Sequence, residues 1–445
     1  MSEQDSIRAT RVSRMVSLAG TGARVGLNYL KHYGRRSLGA EVREEDLHEA
    51  NATDVYQAFS KLKGGPLKVA QMLSIDQNFL PPAYAQQFAQ AQYSAPPLSY
   101  PLVARTFRRE FGREPTDLFD DFSKKAAHGA SIGQVHHALK AGHAYAVKVQ
   151  YPGVADSLRS DLQVVKPIAL QILGLREQDI SEYFKEVEER LLEETDYALE
   201  FERSVLLSRQ SEGIANVRFP RYYPELSSRR ILTMDWIDGM PLDRFADSDA
   251  STDERNRIGQ ALWDFYHHQI HELHQFHADP HPGNFLIRDG ELWVIDFGCT
   301  KSIDSDFYRK QFRFLDPDIL DDLAGMEQAL EALNILLPSD PPEYRTELIN
   351  LCRESLELVA APFRTPRFDF GDPQLMESLY RMGLDNRNND LLRKNRAARG
   401  SPHSIYLNRA YFGLYSLLSR LRARVRTRLP EWLGELADNV SGLAS

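Results

Sequence analysis

An aspartate and an asparagine, Asp279 and Asn284, share the stretch "HADPHPGNFLI" (277–287), a loop that runs straight into an apolar strand. A second acid, Asp296, follows in "WVIDFGCT" (293–300). These residue types suit phosphoryl transfer, which asks for positioning and charge neutralisation more than for covalent chemistry. Asp279 is placed to orient or deprotonate an attacking oxygen. Asn284 and Asp296 are hard oxygen donors of the kind that hold Mg²⁺ against phosphates. Lys148 would contact the α- and β-phosphates, with Glu200 as its carboxylate partner. Glu200 lies one helical turn after Asp196, and such a like-charged pair is unfavourable unless a cation lies opposite.

The order Lys, Glu, His-x-Asp-x₄-Asn, Asp-Phe-Gly matches the protein-kinase order. Two expected parts are missing. No G-x-G-x-x-G precedes the Lys148 strand; "AAHGASIGQVHHA" (126–138) stands there instead. Ala130 and Ser131 can still offer backbone N–H groups to a phosphate, and Ser131 adds a hydroxyl. Asp235, Trp236 and Ile237, where "RRILTMDWIDGMPL" leaves its strand, complete the residues assigned to ATP. No A-P-E follows "DFGCTKSIDSDFYRKQF", so little room is left for a peptide-docking segment.

These residues need elements to position them. "ASIGQVHHALKAGHAYAVKVQYPG" has two alternating runs about "KAGHA", which predicts a hairpin with Tyr145, Val147 and Val149 on one face and Lys148 on the other. Residues 178–210 read as one long helix with an apolar stripe of Val187, Leu191, Ala198, Phe201 and Val205. Glu194 interrupts that stripe, where a solvated glutamate would not be placed. Upstream, 41–95 read as helical, broken at Gly64-Gly65-Pro66, and "PLVARTFRREFG" as a further amphipathic helix. Beyond Gly239 helical periods dominate, with short strands at Phe285–Ile287 and Leu292–Ile295. Strands followed by helices give an α+β plan. Four segments are expected: a basic amphipathic stretch over 1–40, a helical extension over 41–117, a strand-rich lobe over 118–238 and a helical lobe over 239–445.

With 445 residues, 42% of them hydrophobic, the chain can bury a sizeable core. A net charge of −9 argues against nucleic acid as a partner. Two cysteines, Cys299 and Cys352, point to a reducing compartment rather than a disulfide scaffold. No apolar run long enough to span a membrane is present, and the polar start "MSEQDSIRAT" is not a secretory signal. Residues 7–36 nevertheless carry seven Lys or Arg and no acid, interleaved with apolar residues. That pattern fits a helix lying on an anionic membrane surface, or one packed on the protein's own acidic surface. A mitochondrial transit peptide ranks third because of Glu3 and Asp5. The arginine-rich tail "SRLRARVRTRLPEWL" reads as a solvated helix face.

"KVAQ" (68–71), "GASIGQVH", "ETDYALE", "HADPHPGN" and "DFG", in this order, resemble the UbiB/ADCK family of atypical kinase-like proteins. The resemblance covers roughly residues 10–330, and its first three motifs are absent from ordinary kinases. The family's Lys-x-Gly-Gln motif falls on Lys68, Val69, Ala70 and Gln71, with alanine in place of the usual glycine. Its alanine-rich loop falls on Gly129, Ala130 and Ser131, and its Glu-x-Asp motif on Glu194, Thr195 and Asp196. The resemblance implies a protein-kinase-like two-lobe fold with an N-terminal helical extension over the active site. It also implies ATP and Mg²⁺ as cofactors, and a role in ubiquinone or other isoprenoid-lipid biosynthesis. Quinone-pathway molecules or enzymes would be the partners. The expected location is cytoplasmic, peripheral on the inner face of a membrane, with the mitochondrial matrix ranked below it.

Lys68 and Gln71 share a helix face, and Lys68 is the expected partner of Glu194. Lys68 would then join Asp279 and Lys148 in catalysis, with water or a small molecule as acceptor. Two other classes compete: a small-molecule phosphotransferase of the aminoglycoside or choline kinase type, and a nucleotide-binding scaffold without catalysis. "HHQIHELHQFHADPH" invites a zinc reading, with His267, His271 and His274 on one helix face, but it misses the H-E-x-x-H spacing. "GTGARVG" (20–26) follows no strand and fails as a dinucleotide fingerprint. Cys299 reads as a small packed residue.

Overall fold

The computed structural model describes residues 51–53, 99–130, 132–173, 185, 188, 189, 191–389 and 399–427. Lys68, Gln71 and Ser131, the stretch 1–40 and all but 51–53 and 99–117 of the expected extension lie outside the described residues. The chain divides into two compact units, one ending at Val205 and resuming over Pro220–Trp236, the other comprising Leu206–Phe219 and everything from Ile237. The expected lobe boundary after residue 238 therefore falls at 236, and 206–219 belong with the second unit.

The first unit is built on a five-stranded antiparallel sheet, β1 (Asp121–Phe122), β2 (His128–Gly129), β3 (Gly133–Lys140), β4 (His143–Gln150) and β5 (Ile231–Asp235). Strands run in the order β1-β3-β4-β5, with β2 on the free end of β3. The β3–β4 hairpin turns on Ala141 and Gly142, both at positive φ (51° and 77°), as a two-residue turn requires. Helix α1 (Tyr100–Phe111) starts with Pro101 in its first turn and ends at Gly112 in the left-handed region. Its buried Val103 and Phe107 meet Phe119, Phe122, Tyr145, Val147 and Val149, which occupy one sheet face. On the other face Ile132, Ala146, Leu232 and Met234 pack with Tyr197 and Tyr222. Period-two alternation thus sends Lys148 to the second face. Helix α2 (Val154–Leu173) follows β4.

The expected single helix over 178–210 is interrupted. Helical residues run to Glu194, the chain turns at Thr195, and α3 (Tyr197–Gln210) starts afresh. Asp196 causes the reset, because its Oδ1 accepts from the N–H groups of Ala198 (3.2 Å) and Leu199 (3.4 Å) as an N-cap. The phase shifts with it: Ala198 is exposed, and Tyr197, Glu200, Ser204 and Leu207 form the buried face.

The second unit is mainly helical: α4 (Thr252–His267), α5 (Ser305–Phe312), α6 (Leu323–Ala332), α7 (Pro342–Val359), α8 (Gln374–Asn388) and α9 (Pro402–Leu421). A small sheet joins Val217–Arg218 to β9 (Glu291–Val294), β8 (Phe285–Arg288) and β6 (Met240–Pro241). Two short ribbons complete it, β7 (Gln275–His277) with β10 (Thr300–Ser302) and β11 (Arg367–Asp369) with β12 (Arg424–Arg426). The core gathers Trp263, Tyr266, Phe276, Phe285, Phe297, Leu414 and Tyr415. Of the tail read as a solvated helix face, the described residues are helix only to Leu421 and strand β12 over Arg424–Arg426, and 428–433 lie outside the described residues. Ala423, Val425 and Thr427 point inwards there and Arg422, Arg424 and Arg426 outwards, a period-two pattern.

Candidate active site

In the first unit, Lys148 Nζ lies 2.6 Å from Glu200 Oε1, with both side chains buried. The ammonium also stands 5.1 Å above the centre of the Tyr197 ring, a cation–π contact that strengthens as water is excluded. Gly133 makes the close packing possible. A methyl there would come within 2.5 Å of the Val149 carbonyl oxygen and 2.7 Å of the Tyr197 hydroxyl. Gln150 Nε2 donates to the Thr195 carbonyl at 2.8 Å, fixing the break before α3 against the Lys148 strand. Asp196 faces Arg229 (3.0 Å to Nε) rather than Lys148, so its part is to cap α3. Glu194 is buried, as its place in the apolar pattern required.

Of the loop expected to grip phosphate, Ala130 is bonded to Gly133: its N–H donates to the Gly133 carbonyl at 2.9 Å instead of standing ready for an anion. Asp235 also departs from expectation. It pairs across the ladder with Tyr145, on the face away from Lys148. Its carboxylate accepts from Tyr223 Oη (2.8 Å) and the Arg221 N–H (2.9 Å), and meets His143 Nε2 at 2.7 Å. Trp236 N–H donates to the Ala144 carbonyl (3.0 Å) and so extends the sheet. The Trp236 indole stacks on His128 and meets the edge of His137. Ile237 is buried and belongs to the second unit. Val135 and Ala146 share the Lys148 face and were not singled out from sequence, although strict alternation about Lys148 points to both.

In the second unit one histidine ties the two acidic motifs together. Asp279 N–H donates to His277 Nδ1 at 3.1 Å, so the ring carries its proton on Nε2, which donates to the Asp296 carbonyl at 2.8 Å. Burial holds the His277 imidazole below its ordinary pKa, which keeps it neutral and preserves both bonds. Asn284 Nδ2 donates to the Asp279 carbonyl at 2.9 Å, and Ile295 N–H to the Asn284 carbonyl at 3.0 Å. Asp296 Oδ1 accepts from Gly298 N–H at 2.7 Å, while Phe297 is fully buried. Asp279, Asn284 and Asp296 are thereby held as one constellation.

These donors fit Mg²⁺. Asn284, whose Nδ2 is engaged by its own loop, has an amide oxygen as a donor, and Asp296 adds a carboxylate. Among the described residues no three His, Cys, Asp or Glu cluster as a metal site. Mg²⁺ does not require one, since it is commonly held by one or two protein oxygens plus phosphates and water. The zinc reading fails on geometry. His271 uses both ring nitrogens on tyrosine hydroxyls, Tyr308 at 2.9 Å and Tyr411 at 3.1 Å. His267 stacks on Trp263, and His274 sits past the helix end at φ 49°. Cys299 is partly buried and packs against the core.

One residue had no sequence signal. Arg409 of α9 places Nη2 2.5 Å from Asp279 Oδ1, across 130 residues of chain. Nothing near either residue in sequence announces the other.

A model of the ABC1 atypical kinase-like domain matches residues 90–330. The chain belongs to the ABC1 atypical kinase-like family. It is 26% identical over 442 residues to "Atypical kinase COQ8B, mitochondrial" of Danio rerio, covering 96% of this chain and 68% of that protein. The Rattus norvegicus protein of the same name is 30% identical over 316 residues, 69% of this chain and 60% of that one. The chain thus spans about two thirds of the length of these relatives. Among solved structures, the complex of Rv3197 with erythromycin from Mycobacterium tuberculosis superposes with a TM-score of 0.58 at 23% identity. It covers 86% of this chain and 95% of its own, a likeness of fold. The fold is kinase-like and α+β, and the aminoglycoside or choline kinase reading gives way to the ABC1 family. Among the described residues no helix is long and apolar enough to cross a membrane. Both COQ8B relatives are named as mitochondrial, the compartment that the sequence reading ranks lower.

Proposed function

We propose that this member of the family is an ATP- and Mg²⁺-dependent phosphotransferase or ATPase. The reading is carried by the buried Lys148–Glu200 pair. A buried ion pair is a poor way to stabilise a fold, because desolvation offsets most of its Coulombic gain. Its place on a strand face flanked by Val135 and Ala146 is accounted for by an ammonium held ready for phosphate oxygens. Lys148 would take the α- and β-phosphates. Asn284 and Asp296 would hold Mg²⁺, which neutralises charge on the phosphates when bound. Asp279 would orient the attacking oxygen.

The acceptor in this reading is water or a small molecule. The segment after Gly298 supports it: β10 ends at Ser302, Asp304 caps α5, and no stretch long enough to dock a peptide intervenes. Lys68 and Gln71 would cover the site from the extension, with Glu194 as the partner of Lys68. We place the activity at an anionic membrane surface, reached through the basic stretch 7–36, in ubiquinone or related isoprenoid-lipid biosynthesis. The COQ8B relatives and the basic amphipathic pattern support that placement. The test is ADP release by the purified chain, with and without anionic vesicles and an isoprenoid phenol. Turnover that rises with these additives while casein stays unlabelled is the expected result. Robust casein phosphorylation, or no turnover under any condition, would overturn the reading.

A further inference from the structure

The loop from His277 to Asn284 contains no lysine or arginine. Its one acid, Asp279, must nonetheless work beside phosphates, where like charge opposes it. Nδ1 of His281 accepts from the Gly283 N–H at 3.0 Å. The cation comes from α9. Arg409 Nη2 meets Asp279 Oδ1 at 2.5 Å, with the side chains 16% and 23% exposed. Helix α9 lies wholly beyond the residues matched by the family domain, 90–330.

The contact is one of several along a single face of that helix. Tyr406, Arg409 and Gly413 recur at helical spacing. The Tyr406 ring lies 4.9 Å from Nζ of Lys301, the buried lysine of β10 just after Asp296-Phe297-Gly298. At Gly413 an added methyl would overlap the ring of Pro280, so the residue next to Asp279 rests on bare helix backbone. A packing role could be met by apolar side chains. A guanidinium aimed at one carboxylate oxygen does more. The Asp279 backbone is fixed through His277 and Asn284, which leaves the side-chain rotamer to be set, and Oδ1 is held by Arg409 while Oδ2 lies 3.5 Å from Asn284 Nδ2.

Building on the proposed phosphotransfer activity, we infer that Arg409 is a positioning residue for Asp279. It fixes the carboxylate rotamer and offsets its charge, so that a helix outside the family domain completes the catalytic loop. The test uses the full chain, steady-state ADP release and thermal melting on Arg409→Gln, Arg409→Lys, Asp279→Asn and the Arg409→Gln/Asp279→Asn double variant. Arg409→Gln should lower kcat by about 100-fold, the scale of a misplaced catalytic group, with KM for ATP unchanged. Arg409→Lys should recover most of that loss, and the double variant should be no slower than Asp279→Asn alone. Wild-type kcat in Arg409→Gln would overturn the inference and leave the phosphotransfer reading standing. So would faster turnover, or a loss that lysine does not repair and that follows the melting temperature. A wild-type chain without turnover would overturn both.

Discussion

Lys148 and Glu200, 52 residues apart, meet at 2.6 Å with side chains only 8% and 5% exposed. Removing one partner strands the other's charge in a low-dielectric site, which typically costs about 3–5 kcal/mol. Glu200→Gln and Lys148→Met should each destabilise the fold by that order. The double variant should cost less than their sum, by about 0.5–3 kcal/mol for groups in contact. Urea unfolding of the four proteins measures the coupling, and strict additivity would contradict the pair.

Asp296 and Asn284 are the metal donors in the proposed reaction. Asp296→Asn should remove the Mg²⁺-dependent part of the ATP-induced rise in melting temperature while the apo protein melts as wild type does. An undiminished shift would remove Asp296 from the metal site.

Asp196 caps α3 through the N–H groups of Ala198 and Leu199. Losing an N-cap of this kind costs about 1 kcal/mol, and the Arg229 pair, largely exposed on the arginine side, adds little. Asp196→Ala should therefore lower the unfolding free energy from urea titration by that amount and no more. Asp196→Ser, which can still cap, should recover most of it.

Burial lowers the pKa of His267 to about 4, with Nδ1 bonded to the Trp263 carbonyl at 2.7 Å. A histidine depressed in the folded state takes up its proton on unfolding, so stability is full above the unfolded value of about 6.5 and falls as pH drops towards 4. One such group accounts for about 3 kcal/mol across that window. His271 and His277, also lowered by burial, act in the same direction. The unfolding free energy should decline between pH 6.5 and 4, and more gently in His267→Phe, whose ring can still stack on Trp263. Equal slopes in the two proteins would show that His267 is not the titrating group.

The seven basic residues of 7–36 should bind anionic vesicles, at about 1 kcal/mol for each residue near the surface. Raising the salt should release the protein, since exposed charges are screened over about 8 Å at physiological ionic strength. Unchanged co-sedimentation after deletion of 1–36 would move the binding surface elsewhere.

What the sequence made legible was local. The β3–β4 hairpin was readable because alternation and "KAGHA" agree, and Asp279, Asn284 and Asp296 because their spacing is itself the motif. The break before α3 was not, since Thr195 and Asp196 sit inside an otherwise helical pattern and only the cap hydrogen bonds show that the phase resets. β12 was misread for a related reason: "RARVRT" alternates with period two, but its density of charge drew attention to the arginines and away from Ala423 and Val425 between them. That the Ala130 N–H is engaged by the Gly133 carbonyl is likewise not something composition reveals. Arg409 lay beyond reach, because a salt bridge across 130 residues leaves no trace in either segment.

That separation has a consequence in time. The chain emerges from the ribosome N-terminus first, at roughly 5–20 residues per second. The 130 residues between Asp279 and Arg409 then take about 7–26 s to synthesise at those speeds. Throughout that interval His277, Asn284 and Asp296 can assemble around Asp279, but Pro280 has no Gly413 to rest on and the acid has no guanidinium. Helix α9 also brings Leu407, Ala410, Leu414 and Leu418 into the core of the second unit. A nascent chain carrying the motifs of the family domain would thus still lack α9, and with it the contacts that Arg409 and Gly413 bring to Asp279 and Pro280.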